Sequence, residues 1–460
     1  MKPVLVILAV GLSPSMIGQH TPYLSTLAAR GGLRGLTTVT PAVTCSAQAT
    51  LLTGEVPGVH GAVANGWYDR QRAEIGFWKQ SNHLISGQKI WEAAQSMKPD
   101  YTCAIMFWWY NMYSTANWSA TPRPQYPADG RKIPDHYTYP SSLHDELDAR
   151  FGQFPLFSFW GPKADIVSSR WISDATVHVM KTHQPNLTLT YLPHLDYNLQ
   201  RLGPDLSHSR IQQDLKELDE LCGELIETAD AQGAEIIVVS EYGITEVVGA
   251  VDINRHLRRA GLLEVRQESG MEQLDAGASA AFALADHQLA HVYINQTDRI
   301  EEIGQLLLSI DGVESVLAGE ELAQAGLGHA RSGDLVVISE ADRWFSYYYW
   351  LDEDKAPDYS RTVDIHRKPG YDPVELFVNP DIRFPMLKVA SVLGGRKLGF
   401  NRMMDVISPS ATHLVKGSHG RPTDDVQEGP VLISSNADVL PEGSVHATDF
   451  KALVLAHQFG

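Results

Sequence analysis

"PAVTCSAQATLLTGEVPGVHGAVANGWYDR" occupies residues 41–70. Threonine, alanine and glycine dominate it, with one cysteine, one histidine, an Asn-Gly corner and little charge before Asp69. Side chains this small make a poor core and suit a site. Thr44 opens the apolar part of the stretch, and two readings compete for it. A hydroxyl just before a small-residue helix is an N-cap. The same hydroxyl at a helix N-terminus is a nucleophile placed where free N–H groups and the helix dipole favour an incoming anion. The residues alone leave both open.

The flanking segments say what kind of fold carries the stretch. Apolar runs at 4–10, 102–108, 187–192 and 235–240 have the length and continuity of buried parallel strands. Helical patterns lie between them. Residues 21–31 pair Thr21 as a cap with Pro22 and end on Gly31, and 211–232 carry Leu215, Leu218, Leu221 and Leu225 on one face. Strands alternating with helices predict a doubly wound α/β core, whose chemistry gathers past the carboxyl ends of the strands. The segments to inspect there are Gly11–Leu12, "PHLDYNLQRLGP" (193–204) and "EYGITE" (241–246). Residues 109–165 are rich in Trp, Tyr and Pro and read as a lid. Residues 251–343 read as a small α+β insertion, so the core spans 1–250 and 344–460.

The chain has 460 residues, 43% hydrophobic and 20% charged, with a net charge of -18. That charge argues against a nucleic-acid polymer as partner. Three scattered cysteines, Cys45, Cys103 and Cys222, build neither a disulfide framework nor a thiolate metal site. The apolar run at 4–10 is too short for a membrane span and lacks a cleavage signal, so the expectation is a cytoplasmic protein. No dinucleotide or P-loop glycine pattern stands where it would count.

The stretch at 41–70 resembles the nucleophile segment of the alkaline phosphatase superfamily, in its nucleotide pyrophosphatase/phosphodiesterase branch. Thr44 stands nine residues before Thr53-Gly54, and Pro57, His60, Gly61, Asn65, Tyr68 and Asp69 follow at matching spacings. The resemblance implies an alkaline-phosphatase-type fold and a metal-dependent phosphoric ester hydrolase. Thr44 would be the nucleophile and Asn65 a contact to a phosphate oxygen. It also implies a divalent metal centre, one or two zinc ions with manganese or magnesium as alternatives, and a phosphorylated small molecule as substrate.

The expected ligand places diverge from the pattern. Val10 stands where the first aspartate belongs, Gln200 where a histidine follows Asp196, and Glu241-Tyr242 where Asp-His is usual; Asp196 and His419 are kept. The candidate metal set is therefore Asp196, His419, Glu241 and Gln200, with His194 and His366 as replacements. Lys368 is a candidate for binding the anionic substrate, and Trp108 and Tyr110 for stacking against it. The alternative is a non-catalytic or retuned member that binds a phosphorylated small molecule after losing the two-metal site.

Overall fold

The computed structural model describes residues 1–400 and 402–460. In chain order the main strands are β1 (Val4–Ala9), β2 (Gly32–Thr37), β3 (Cys103–Met106), β4 (Trp118–Pro122), β5 (His136–Tyr139), β6 (Leu187–Leu192) and β7 (Glu235–Val239). They continue with β8 (Ala281–Asp286), β9 (Leu289–Ile294), β10 (Val313–Ala318), β11 (Leu335–Ser339), β12 (Val431–Ser434) and β13 (Val445–His446). Nine of them form the core sheet in the order β13-β2-β12-β7-β1-β6-β3-β4-β5. The centre is parallel, β1 lying between β6 and β7. Every residue of β1, β6 and β7 is buried, which is why their sequences are continuous apolar runs rather than alternating ones.

The main helices are α1 (Pro22–Arg30), α2 (Thr44–Thr53), α3 (Ser142–Phe151), α4 (Ile166–His183), α5 (His194–Leu202) and α6 (Ser209–Ala231). All ten residues of α2 are buried, and its small side chains let it sit enclosed. It stops at Gly54, which takes the left-handed conformation (φ 74°) and returns its N–H to Thr50 O. The "Thr-Gly" ending is thus a helix stop.

Two expectations change. Thr21 does not cap α1: its hydroxyl accepts from Gly18 N and donates to Met16 O. The buried carboxylate of Asp219 on α6 takes Tyr23 N and Leu24 N instead, both at 2.9 Å. The supposed lid is also partly core, because β4 pairs parallel to β3 and β5 pairs antiparallel to β4. Strands of five and four residues, one ending in Pro122, are too short for a periodic signal.

The segment after β7 builds a second, antiparallel sheet in the order β8-β9-β11-β10. It has its own apolar core, which also draws in Tyr68, Phe77 and Tyr347–Trp350. No helix among the described residues is long and apolar enough to cross a membrane.

Asp219→Ala is expected to lower the unfolding free energy by about 2–3 kcal/mol, because one buried and one part-buried N–H group lose a charged acceptor. Urea unfolding followed by circular dichroism measures this. Asp219→Asn, which keeps one acceptor oxygen, should lose less.

Candidate active site

Three strand ends and one helix start converge. Val10 and Gly11 follow β1, α5 follows β6, Ser240–Tyr242 follow β7, and Thr44 begins α2. The N-cap of α2 is Val43, so Thr44 is the first helical residue and its hydroxyl makes no capping bond. The capping falls to Asn65, whose Oδ1 accepts from Cys45 N at 2.9 Å. Asn65 is itself fixed by Asp286 at the end of β8, with N to Oδ2 at 2.7 Å and Nδ2 to Oδ1 at 2.9 Å. One Nδ2 hydrogen of Asn65 is left over for a ligand.

Asp196 is buried and sits among neutral donors. Gln200 Nε2 donates to its Oδ2 at 2.7 Å, and Tyr242 OH donates to its Oδ1 at 3.4 Å. The Tyr242 hydroxyl also lies 3.4 Å from Thr44 Oγ1, so one phenol stands between the candidate nucleophile and a carboxylate. Burial pushes Asp196 up to about 7, with Gln200 and Tyr242 pulling the other way. Burial likewise raises Glu241 to about 8 and Asp286 to about 7. Both oxygens of Glu241 and the Nε2 of Gln48 have no hydrogen-bond partner inside the protein, though Gln48, Thr44 and Tyr242 face Glu241 closely enough to restrain its pKa.

Four aromatic rings form a column beside these carboxyls. Tyr242 stacks on His419 (centroids 3.5 Å, 8°), His419 meets His287 at a tilt (3.6 Å, 36°), and His287 stacks on Tyr371 (3.6 Å, 22°). Tyr371 OH then donates to Gln200 Oε1 at 2.7 Å. His419 donates Nδ1–H to Ala42 O at 2.8 Å, and burial holds it neutral, down to about 3. The glycines of "GSHG" allow this packing: a Cβ on Gly417 would lie 2.2 Å from Leu199 O, and one on Gly420 would lie 3.0 Å from Gln288 N.

Asp196, Gln200, Glu241 and His419 are therefore brought around Thr44 and Asn65. Five other expected residues are not. His194 and Asp196 lie on a helix, where positions two apart point to nearly opposite faces. His194 turns to Asp214 (3.0 Å) and Glu217 (3.3 Å) on α6. Lys368 is buried in ion pairs with Asp372 (2.7 Å) and Glu375 (2.6 Å), which leaves it no free charge for a substrate. Trp108 is a core residue donating to Thr190 O, and Tyr110 packs beside Cys45 in a separate apolar cluster. His366 is exposed, with Nδ1 3.4 Å from Phe77 O.

Two divalent ions do not fit this arrangement. Val10 is apolar, both ends of the Gln200 amide are engaged, and a phenol fills the place of a histidine. Asp196, Glu241 and His419 do not bring ligand atoms within 4.8 Å of one another. Among the described residues the groups that do are Asp135/His136/His144 and Asp165/His194/Glu217.

Sequence reasoning missed Asp286, His287, Gln48 and Tyr371. A signal existed for the first two. "LADHQLA" puts His287 and Gln288 at the two-residue turn between two buried strands, where Gly or Asn is usual. His287 adopts φ 62°, a left-handed conformation uncommon for a residue other than glycine.

The profile of the family described as "Type I phosphodiesterase / nucleotide pyrophosphatase" matches residues 4–372. No curated protein matches the chain by sequence. Among solved structures, phosphonoacetate hydrolase from Sinorhizobium meliloti 1021 in complex with phosphonoacetate is similar over 99% of this chain and 96% of that one, with a TM-score of 0.61 at 15% identity. An inactive threonine-to-alanine variant of murine ectonucleotide pyrophosphatase/phosphodiesterase 5 bound to AMP covers 100% of this chain and 95% of its own, with a TM-score of 0.59 at 13% identity. The human form of that protein gives 0.59 at 12%, covering 100% and 95%. The fold is shared at these identities.

Glu241 binds its proton more tightly when folded (about 8) than at its ordinary value of 4.5. The stability it favours is fully present below pH 4.5 and is lost as pH rises through about 8. Glu241→Gln should flatten that part of the fall and exceed the wild type in stability at pH 8. Urea unfolding across this range tests it, and an unchanged slope contradicts the assignment.

Proposed function

Because the chain belongs to the type I phosphodiesterase / nucleotide pyrophosphatase family, we propose that it hydrolyses a phosphoric or phosphonic ester of a small molecule through Thr44. Members of this family typically depend on a divalent metal. The residues around Thr44 do not fit the two-ion set, so the steps below use the chain's own groups. The observation that carries this reading is the Tyr242 hydroxyl, 3.4 Å from Thr44 Oγ1 on one side and 3.4 Å from Asp196 Oδ1 on the other.

In the first step Thr44 Oγ forms a bond to phosphorus and the bond to the leaving alcohol breaks, the alcohol taking the electron pair. The Thr44 proton passes to the Tyr242 oxygen as Tyr242 hands its own proton to Asp196. In the second step water attacks phosphorus and the bond to Thr44 Oγ breaks. Asp196 returns the proton through Tyr242, and the proton from water neutralises the departed alcohol. A carboxylate near neutrality suits a general base. The 3.4 Å separations are long for hydroxyl bonds, as catalytic contacts often are before substrate binds. The free Nδ2 hydrogen of Asn65, with Gln48 Nε2 and the protonated Glu241, supplies donors for the phosphoryl oxygens.

The second reading is a phosphate-binding protein without turnover. The tight closure around Thr44, only 6% exposed, favours it. Turnover of p-nitrophenyl phosphate and bis-p-nitrophenyl phosphate decides between them. Thr44→Ala should abolish turnover and Thr44→Ser should keep part of it; the inactive threonine variant of the murine relative is the precedent. Tyr242→Phe should lower kcat by roughly 100-fold or more with little change in KM, the range of a lost proton-transfer group. Undiminished turnover by Thr44→Ala contradicts the nucleophile. Full activity of Tyr242→Phe contradicts only the relay. Binding without turnover by the wild type favours the second reading.

A further inference from the structure

Far from Thr44 in the sequence, β5 and α3 gather a second set of ligating groups. His136 opens β5, Asp135 precedes it, and His144 and Asp148 stand one turn apart on the same face of α3. His144 Nε2 lies 2.8 Å from Asp135 Oδ1. His136 Nδ1 lies 3.9 Å from the same oxygen and 3.7 Å from Asp148 Oδ1.

An ion pair between His144 and Asp135 accounts for two of these groups and leaves the others unexplained. The His136 side chain is 0% exposed, and neither of its ring nitrogens has a hydrogen-bond partner; Asp148 Oδ1 also has none. A neutral imidazole carries one N–H and one lone pair, and no group of the protein takes either from His136. The ring is fixed by an edge contact from Trp171, with centroids 5.0 Å apart. One cation would take the Nδ1 lone pair of His136 together with Asp148 Oδ1, the ring proton staying on Nε2.

The outer groups are arranged as ligands' supports. Gln125 Nε2 holds the far oxygen of Asp135 at 2.6 Å, and Asp145 Oδ1 lies 3.3 Å from His144 Nδ1. A carboxylate on one imidazole nitrogen turns the other outward as a lone pair. The observed separations, 2.8 to 3.9 Å, bracket the edge of about 3.3 Å that a tetrahedron with Zn–N bonds of about 2.0 Å requires. The two rings lie face to face (4.5 Å, 14°) and must splay to share an ion. His144 and Asp148, 30% and 34% exposed, provide both that movement and a way in. In the cluster Asp165/His194/Glu217 the ring nitrogens of His194 also lack a hydrogen bond of good geometry, but Nε2 lies 3.0 Å from Asp214 and 3.3 Å from Glu217, and Arg210 lies 2.8 Å from Asp214, so ion pairs occupy the place a cation would take.

We propose that Asp135, His136, His144 and Asp148 form a zinc site that fastens the edge strand β5 to α3. Two imidazoles and two carboxylates are a donor set for a borderline divalent ion. The test is titration of the metal-stripped full chain with zinc chloride, by calorimetry and in competition with a colorimetric zinc chelator. One zinc per chain is expected, together with a rise in the melting midpoint. His144→Gln, at a partly exposed position, should weaken binding by roughly tenfold or more and remove the rise, with its turnover unchanged. His136→Asn should weaken it similarly, and Asp196→Asn should bind as the wild type does. Absence of stoichiometric zinc overturns the proposal. So does zinc retained at full affinity by His144→Gln, or zinc lost from Asp196→Asn alone.

Discussion

A buried carboxyl group without a cation must either find hydrogen-bond donors or keep its proton. That constraint organises the centre of this protein. Asp196 takes Gln200 and Tyr242 as donors, and Asp286 takes the backbone and side chain of Asn65. Glu241 has no internal donor of good geometry and keeps its proton. Gln200 in turn needs a donor for its own oxygen and receives it from Tyr371. The identities of three residues on three segments, Gln200, Tyr242 and Tyr371, thus follow from holding one carboxylate in place.

The ring column answers a packing problem set by the same chemistry. The space beside Asp196 at the strand ends is occupied by neutral groups. Tyr242, His419, His287 and Tyr371 fill it with flat faces in contact. Two of these rings arrive from outside the core. The hairpin of the second sheet delivers His287, while Tyr371 is tied by its N–H to Ala285 of the adjoining strand. The second sheet therefore contributes to the candidate site, and Asp286 on that hairpin supports the residue that caps α2.

Local patterns were legible in the sequence and long-range ones were not. The buried strands, the amphipathic α6 and the small-residue α2 with its glycine stop are written within a few consecutive residues. The caps were misjudged because their partners are distant: Asp219 for α1 and Asn65 for α2, neither of which a scan of neighbouring positions finds. His194 and Asp196 are two positions apart on a helix, not on an extended strand, so His194 turns to α6. Lys368 looked free because Asp372 and Glu375, four and seven positions on, read as ordinary surface charge. The departures at Val10, Gln200, Glu241 and Tyr242 were visible, but their joint meaning, a hydrogen-bonded ring in place of a metal pair, needed the geometry.

The central claim is that Thr44 is the nucleophile and that Tyr242 and Asp196, without a metal pair, take its proton. Rapid quenching of the chain with bis-p-nitrophenyl phosphate in the presence of a strong chelator, followed by peptide mass analysis, tests it most directly. The account predicts a phosphoryl adduct on the peptide carrying Thr44. An adduct that forms only when divalent metal is supplied, or turnover with no adduct on that peptide, would contradict it.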